Sequence, residues 1–323
     1  MRVKLIPTGR CELLGLPECL RRLFPDHTFE AVAAREEPDG DRVPFDGFTS
    51  GRLSTSLLAA KLPTNLTRLV QQLASEVHPG RDGHAADLAV LLDDLELENA
   101  DQPEIVVASV RAAVKQHLEA LRQRESAAKA QRVEQALRER ASFHLAAPMI
   151  EAWLFADPAS LPLAGVGPDR LPPKLRPGVD PEAFETDDLA FSQDDGTTCA
   201  AFHAQNARRR KPERLLWMLP ERFNLPGYRR ELHPKAYLSW LCRNPTEAQR
   251  GSTYRESHGG AAGLRALSWE QVLRTPAHAK FARALIHDLA DALGPPTLTL
   301  PSGEEYPLLA RSSAPRDRAL RNL

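Results

Sequence analysis

Residues 87–96 read Asp-Leu-Ala-Val-Leu-Leu-Asp-Asp-Leu-Glu. Five consecutive apolar residues, Leu88 to Leu92, make the strongest strand signal in the chain. An uninterrupted run, in place of an apolar–polar alternation, is expected when both faces of a sheet are covered by helices. The cluster of acids that closes it, Asp93, Asp94 and Glu96, falls at the carboxyl end of that strand.

The segments on either side fit one alternating pattern. Upstream, Val3 to Pro7 reads as a short strand and Thr8-Gly9-Arg10 as a turn. A helix follows on Leu13, Leu16, Leu20 and Leu23, and Pro25 stops it. His27 to Ala33 alternates as a strand, residues 35–50 read as a loop, and Leu57 to Val77 is mostly helical with a restart at Pro63-Thr64-Asn65. Downstream, Pro103 to about Arg140 reads as one long or kinked helix whose second half has a thin apolar face and could project or pair with a partner. Phe143 to Ala147 reads as a strand, and Pro148 to Phe155 as an apolar helix with Pro in its first turn. Strands alternating with helices predict an α/β, Rossmann-like, mostly parallel sheet over 1–157. Residues 158–323 predict a mainly helical region. It begins with a long irregular connection rich in Pro, Gly and Asp, continues with short helices near 212–223, 233–242, 268–275 and 276–293, and ends in a hairpin at 297–307 and a basic tail.

Composition narrows the function classes. With 42% hydrophobic and 26% charged residues, the 323-residue chain has enough apolar material for a large core, which excludes disordered and fibrous classes. Lys and Arg total 42 against 43 Asp and Glu, so any contact with nucleic acid must be a local patch. No apolar run nears the ~20 residues of a membrane span, and the amino-terminal segment lacks a secretory signature, so a cytoplasmic protein is expected. Cys11, Cys19, Cys199 and Cys242 are scattered without metal-site spacing and are expected as reduced thiols. A phosphate-binding loop of the Walker type, a zinc-protease helix and a nucleophile elbow are all missing.

The acids carry the functional argument. Glu12 opens the first helix, just after the first strand, while Asp93, Asp94 and Glu96 end a later one. In open parallel sheets ligands bind beyond the carboxyl ends of the strands. Acids gathered there repel unless a hard cation such as Mg²⁺ or Mn²⁺ neutralises them. The plainer reading has Glu12 as a helix-start acid favoured by the macrodipole and the others as ordinary strand-end acids. Glu151, beside Trp153 in an apolar helix, must be exposed, paired or a ligand. Arg208-Arg-Arg-Lys211, and Arg229, Arg230, His233, Lys235 and Arg243 near Tyr228, Tyr237 and Trp240, could contact phosphates and stack on bases. They could equally form a solvated loop and an amphipathic helix. Tyr254 to Gly260 reads as a polar, flexible segment, in which Gly259-Gly260 is a plain turn or a place where backbone could approach a ligand.

Pro7-Thr-Gly-Arg-Cys-Glu12 and Leu91-Leu-Asp-Asp-Leu-Glu96 together resemble the Toprim domain, which places a Glu after its first strand and an Asp-x-Asp after a later one around Mg²⁺. Here the second pair is Asp94-x-Glu96, and the turn before Glu12 is Gly-Arg-Cys. With Ala147–Asp157, His233-Pro-Lys-Ala-Tyr-Leu and the Leu-Arg-Asn-Leu end, the chain resembles Toprim-like proteins of bacterial phage-defence islands, related in fold to the overcoming-lysogenization-defect nucleases. The resemblance implies a divalent-metal-dependent nuclease acting on DNA or RNA in anti-phage defence, with an ABC- or AAA-type ATPase partner. It implies Glu12, Asp94 and Glu96 as catalytic metal ligands, Asp93 and Glu151 as further metal ligands, and Lys235 as the phosphate-neutralising residue. Two other classes remain open: a non-catalytic regulatory subunit of a defence ATPase complex, and a small-molecule phosphotransferase using the same acids.

Overall fold

The computed structural model describes residues 1–55, 62–80, 83–194, 229–243, 254–299, 301–306 and 317–323. The basic run at 208–211, the helix expected at 212–223, Cys199 and Tyr228 lie outside them. Strand β1 (Arg2–Pro7) leads into α1 (Arg10–Leu23) and β2 (Thr28–Ala31). Then come a two-residue hairpin, β3 (Arg35–Glu36) with β4 (Arg42–Val43), helix α2 (Thr64–Val77) and β5 (Leu88–Asp94). Helices α3 (Pro103–Arg124) and α4 (Ala127–Arg140) precede β6 (Ala141–Ala146), and α5 (Glu151–Ala156) follows it. The remaining described helices are α6 (Leu161–Ala164), α7 (Leu189–Ser192), α8 (Pro234–Leu241), α9 (Ala261–Ala266), α10 (Trp269–Val272) and α11 (Lys280–Leu293).

Four strands form one parallel sheet in the order β2-β1-β5-β6. The chain moves outward from β1 in opposite directions to reach β2 and β5, so the topological switch lies between β1 and β5. Crevices at such switches are the usual ligand sites of open α/β sheets. The apolar run of β5 is covered on both sides, as its composition predicts. Leu88, Val90 and Leu92 join a core with α1, α5, α8 and α11, while Ala89 and Leu91 join a second core with α2, α3 and α4. Residues from both halves of the chain therefore share the first core.

Several local features differ from the sequence reading. The stretch 103–140 is two helices, because Ser126 turns extended and caps α4 by accepting the Lys129 N–H at 3.1 Å. Helix α4 does not project: Val133, Ala136 and Leu137 are buried in the second core. Helix α5 begins at Glu151, three residues after Pro148, which makes Glu151 its first residue. The loop over 35–50 contains the β3–β4 hairpin, and no strand occurs among the described residues of 297–306.

The Leu-Arg-Asn-Leu end closes the free edge of β6. Asn322 acts as a strand partner there: its Oδ1 accepts from the Phe143 N–H at 3.0 Å, and its Nδ2 donates to the Phe143 carbonyl at 2.8 Å. The Arg321 N–H donates to the Ala141 carbonyl at 2.7 Å. Replacing Asn322 by Ala leaves a buried donor and a buried acceptor unpaired, and is expected to lower unfolding free energy by about 2–3 kcal/mol in urea titrations.

Candidate functional site

Three adjacent strands deliver acids to one edge of the sheet. Glu12 lies past β1, Asp94 ends β5 with Glu96 beyond it, and Glu151 follows β6 at the start of α5. Strand parity separates the two neighbouring aspartates. Asp94 lies on the side of Leu92, the face that α1 and Glu12 cover. Asp93 lies on the other side, where it accepts from Thr8 Oγ1, from the Phe48 N–H at 3.1 Å and from Thr49 Oγ1 at 3.3 Å. Asp93 thus ties the 47–49 loop to β5. Burial raises it to about 6, against those hydrogen bonds.

Glu12 is only 1% exposed, and its Oε1 has no hydrogen-bond partner. The carboxylate folds back over the start of α1, so closely that a Cβ on Gly9 would come within 2.2 Å of Oε2. Gly9 is the residue that leaves this space open. Burial, and then repulsion from Glu151, raise the Glu12 carboxyl to about 8, while its own backbone N–H pulls the other way. Asp94 is held well above the ordinary carboxylate range by burial and by Glu12, Glu96 and Glu151. Its Oδ1 accepts from the Ile150 N–H at 3.0 Å, which fixes the turn into α5. Glu96 is raised to about 7 by burial, against the attraction of Lys235. Its backbone has φ 60° and ψ 155°, a region that side-chain-bearing residues rarely occupy.

Lys235 and the Tyr254–Gly260 segment reach this edge from far along the chain. The Lys235 ammonium lies 3.9 Å from Glu151 Oε1 and pairs with Glu256. Burial works to lower its pKa, but Glu151 and Glu256 outweigh that and hold it above the usual lysine value. The Tyr254 hydroxyl donates to Glu151 Oε1 at 3.0 Å. Glu151 is raised by burial, which Lys235 partly offsets. Residues 256–260 form a single π-helical turn beside α1, in place of the expected plain turn. Gly259 and Gly260 allow close packing there: added Cβ atoms would meet the Ala164 carbonyl at 2.3 Å and the Tyr254 hydroxyl at 2.6 Å. Nothing local in the sequence marks Tyr254, which acts by meeting Glu151 about a hundred positions away, or Glu256, which acts by pairing with Lys235.

No family model, curated protein or solved structure matches this chain. Carboxylate oxygens suit a hard divalent cation, and an unpartnered buried Oε1 on Glu12 is the kind of atom such an ion would satisfy. Among the described residues, however, no three Asp, Glu, His or Cys side chains converge closely enough to ligate one ion as they stand. Binding would require the carboxylates to turn inward. A cleft of about 400 Å³, lined by Thr8, Gly9, Arg10 and Tyr254 to Ser257, opens beside them. A larger cavity of about 430 Å³, walled by Phe155, Val179 and Phe184, includes none of the acids.

The other basic residues near α8 do not form a stacking platform. Tyr237 is fully buried among Phe155, Phe184 and Phe191, with its hydroxyl near Asp188 at 3.2 Å. Trp240 is 5% exposed, flanked by Arg243 at 4.3 Å from its ring centre, and Arg243 pairs with Asp194. Arg229 bridges to Glu185. His233 caps α8 by accepting the Ala236 N–H at 3.2 Å, and burial lowers it to about 3, so it is neutral. These aromatics are core, and bases cannot reach their faces.

Among the described residues no helix is long and apolar enough to cross a membrane. Cys11, Cys19 and Cys242 are buried and none of them is in a disulfide.

Proposed function

We propose that the chain is a Toprim-like, divalent-metal-dependent phosphodiesterase acting on nucleic acid. The observation that carries this reading is the buried, unpartnered Oε1 of Glu12 within a group of carboxyls raised by burial and mutual repulsion. A second support is its place at the switch between β1 and β5. Glu12, Asp94 and Glu96 would hold Mg²⁺ or Mn²⁺, which when bound activates water and steadies charge on the phosphate. Tyr254 orients Glu151 through its hydroxyl, and the two bring a fixed carboxylate to the cation side of the site. Lys235 keeps its proton and offers positive charge to a phosphate oxygen. The protonated Glu12 must lose its proton before it can ligate, so the site forms more readily above neutral pH. The setting in bacterial anti-phage defence, beside an ABC- or AAA-type ATPase in the cytoplasm, rests on the resemblance of the motifs alone.

The test is cleavage of plasmid, single-stranded DNA and structured RNA with Mg²⁺, Mn²⁺ or EDTA. Cutting that needs metal and falls at least ~100-fold in Asp94→Asn is the expected result, given the usual weight of transition-state charge stabilisation. The separation of the carboxylates favours the second reading, a non-catalytic subunit of an ATPase complex. That reading gains if neither protein cuts and the Asp94→Asn chain still assembles with and regulates an ATPase.

A further inference from the structure

A groove of about 390 Å³ runs between α3, α4 and the 317–319 segment, away from the acid cluster. Five cations line it, Arg111, Lys115, Arg122, Arg138 and Arg318, against two carboxylates, Glu134 and Asp317. Glu134 is already engaged by Arg122 at 3.1 Å and by Arg138. Arg138 also donates through Nε to the Arg318 carbonyl at 2.7 Å. Arg111 is different. Its Nε and Nη2 are both buried and neither has a hydrogen-bond partner. Those two nitrogens form one edge of the guanidinium, the side-on fork that takes two oxygens of a carboxylate or phosphate at once. Two buried donors without acceptors are a standing penalty on the fold. Val114 and Leu118 form the apolar floor of the groove and cannot satisfy them. Lys115, one turn along the same helix face, is exposed and adds an ammonium to the same space.

We infer that this groove is a phosphate-binding site: the Arg111 guanidinium, whose Nε and Nη2 are closed off from solvent as it stands, turns into the groove so that its fork takes two oxygens of one phosphoryl group, and Lys115 neutralises the remaining charge. A phosphate fits better than a carboxylate. The excess of cations over carboxylates matches a dianion, and a phosphoryl group has a third oxygen to offer Lys115. The phosphoryl group can belong to a nucleic-acid backbone or to a free phosphorylated molecule, since both present the same oxygens. The inference does not depend on whether the acid cluster cuts phosphodiesters.

Calorimetric titration of the full chain with pyrophosphate, inorganic phosphate and a short single-stranded oligonucleotide, at low and moderate salt, tests it. Saturable binding that weakens about tenfold or more in Arg111→Met is expected, because two charge-assisted hydrogen bonds are lost. Arg111→Lys, which keeps the charge and the fold but lacks the fork, is expected to lose most of the same affinity. Lys129→Met, outside the groove, should bind as the parent does. Tighter binding of the oligonucleotide with a steep salt dependence assigns the phosphate to a nucleic-acid backbone. Equal or tighter binding of pyrophosphate assigns it to a free phosphorylated ligand. Either supports the site. Undiminished binding in both Arg111 variants, or no binding of any probe at low salt, overturns it.

Discussion

The Glu12→Gln protein is expected to melt higher than the parent at pH 8 in EDTA, to melt like it near pH 4, and to lose metal-dependent cleavage. Glu12 carries about 8 in the folded chain against an ordinary value of 4.5, with burial as the first cause and Glu151 as the second. A carboxyl raised on folding favours the folded state only while protonated. The stability it contributes is therefore whole below about 4.5 and is lost as pH rises through about 8. Asp94, Glu96 and Glu151 are raised in the same direction, so the metal-free parent loses stability across this same window. Gln has the shape of Glu without the titration, and its amide can donate to a neighbouring carboxylate. The gain at pH 8 should be on the order of a few kcal/mol. Thermal melts at the two pH values check it. A variant that melts lower at both would mean that Glu12 is held by a structural partner, and the argument from its unpaired oxygen would fail. A lone surface carboxylate would have shown little change in either direction; the burial of Glu12 is what makes the effect large.

Glu96 gives the second large effect, through the backbone. At φ 60° and ψ 155° it occupies a region that belongs almost wholly to glycine, at a cost of about 1–3 kcal/mol. The conformation is held from both sides, by the Glu96 N–H on the Pro148 carbonyl at 2.7 Å and the Asn99 N–H on the Glu96 carbonyl at 3.2 Å. Glu96→Gly relieves that strain and removes a carboxyl raised to about 7 by burial. It also adds freedom to the unfolded chain, which costs about 0.5–1 kcal/mol. A net stabilisation of about 1–2 kcal/mol near pH 8 is expected, together with loss of cleavage. Glu96→Ala separates the causes, since it removes the carboxyl and keeps the strain. The difference between the Gly and Ala variants in urea titrations measures the backbone part. If Ala is as stable as Gly, the strain is not real. If Gly keeps full activity, Glu96 is not part of the site.

The sheet was legible because a strand buried on both faces must be apolar throughout, and Leu88 to Leu92 has no other comfortable setting. The placing of Glu12, Asp94 and Glu151 after successive strands followed from the same alternation. The difference between Asp93 and Asp94 could also have been read, since neighbours on a strand face opposite ways and only one can meet Glu12. The break at Ser126 was harder: one hydroxyl capping one N–H ends a run of good helix formers, and a thinning apolar face does not by itself mark where a helix stops. Tyr254 and Glu256 gave no signal at all. Their roles come from the packing of α9 on α1, which carries the preceding turn to the sheet edge. The aromatic residues of α8 looked like a base-stacking surface because aromatic and basic side chains alternate there. The same pattern arises when aromatics fill a core and cations cover it, and burial decides for the core.

Whether the acids at the β1–β5 edge hold a divalent cation can be read from Mn²⁺ titration followed by electron paramagnetic resonance. Saturable Mn²⁺ binding at pH 8 that weakens toward pH 5, is competed by Mg²⁺, and disappears in both Glu12→Gln and Asp94→Asn is the expected result. Mn²⁺ binding that is equal in the parent and in both variants would contradict it, as would a parent chain that binds no Mn²⁺ at pH 8.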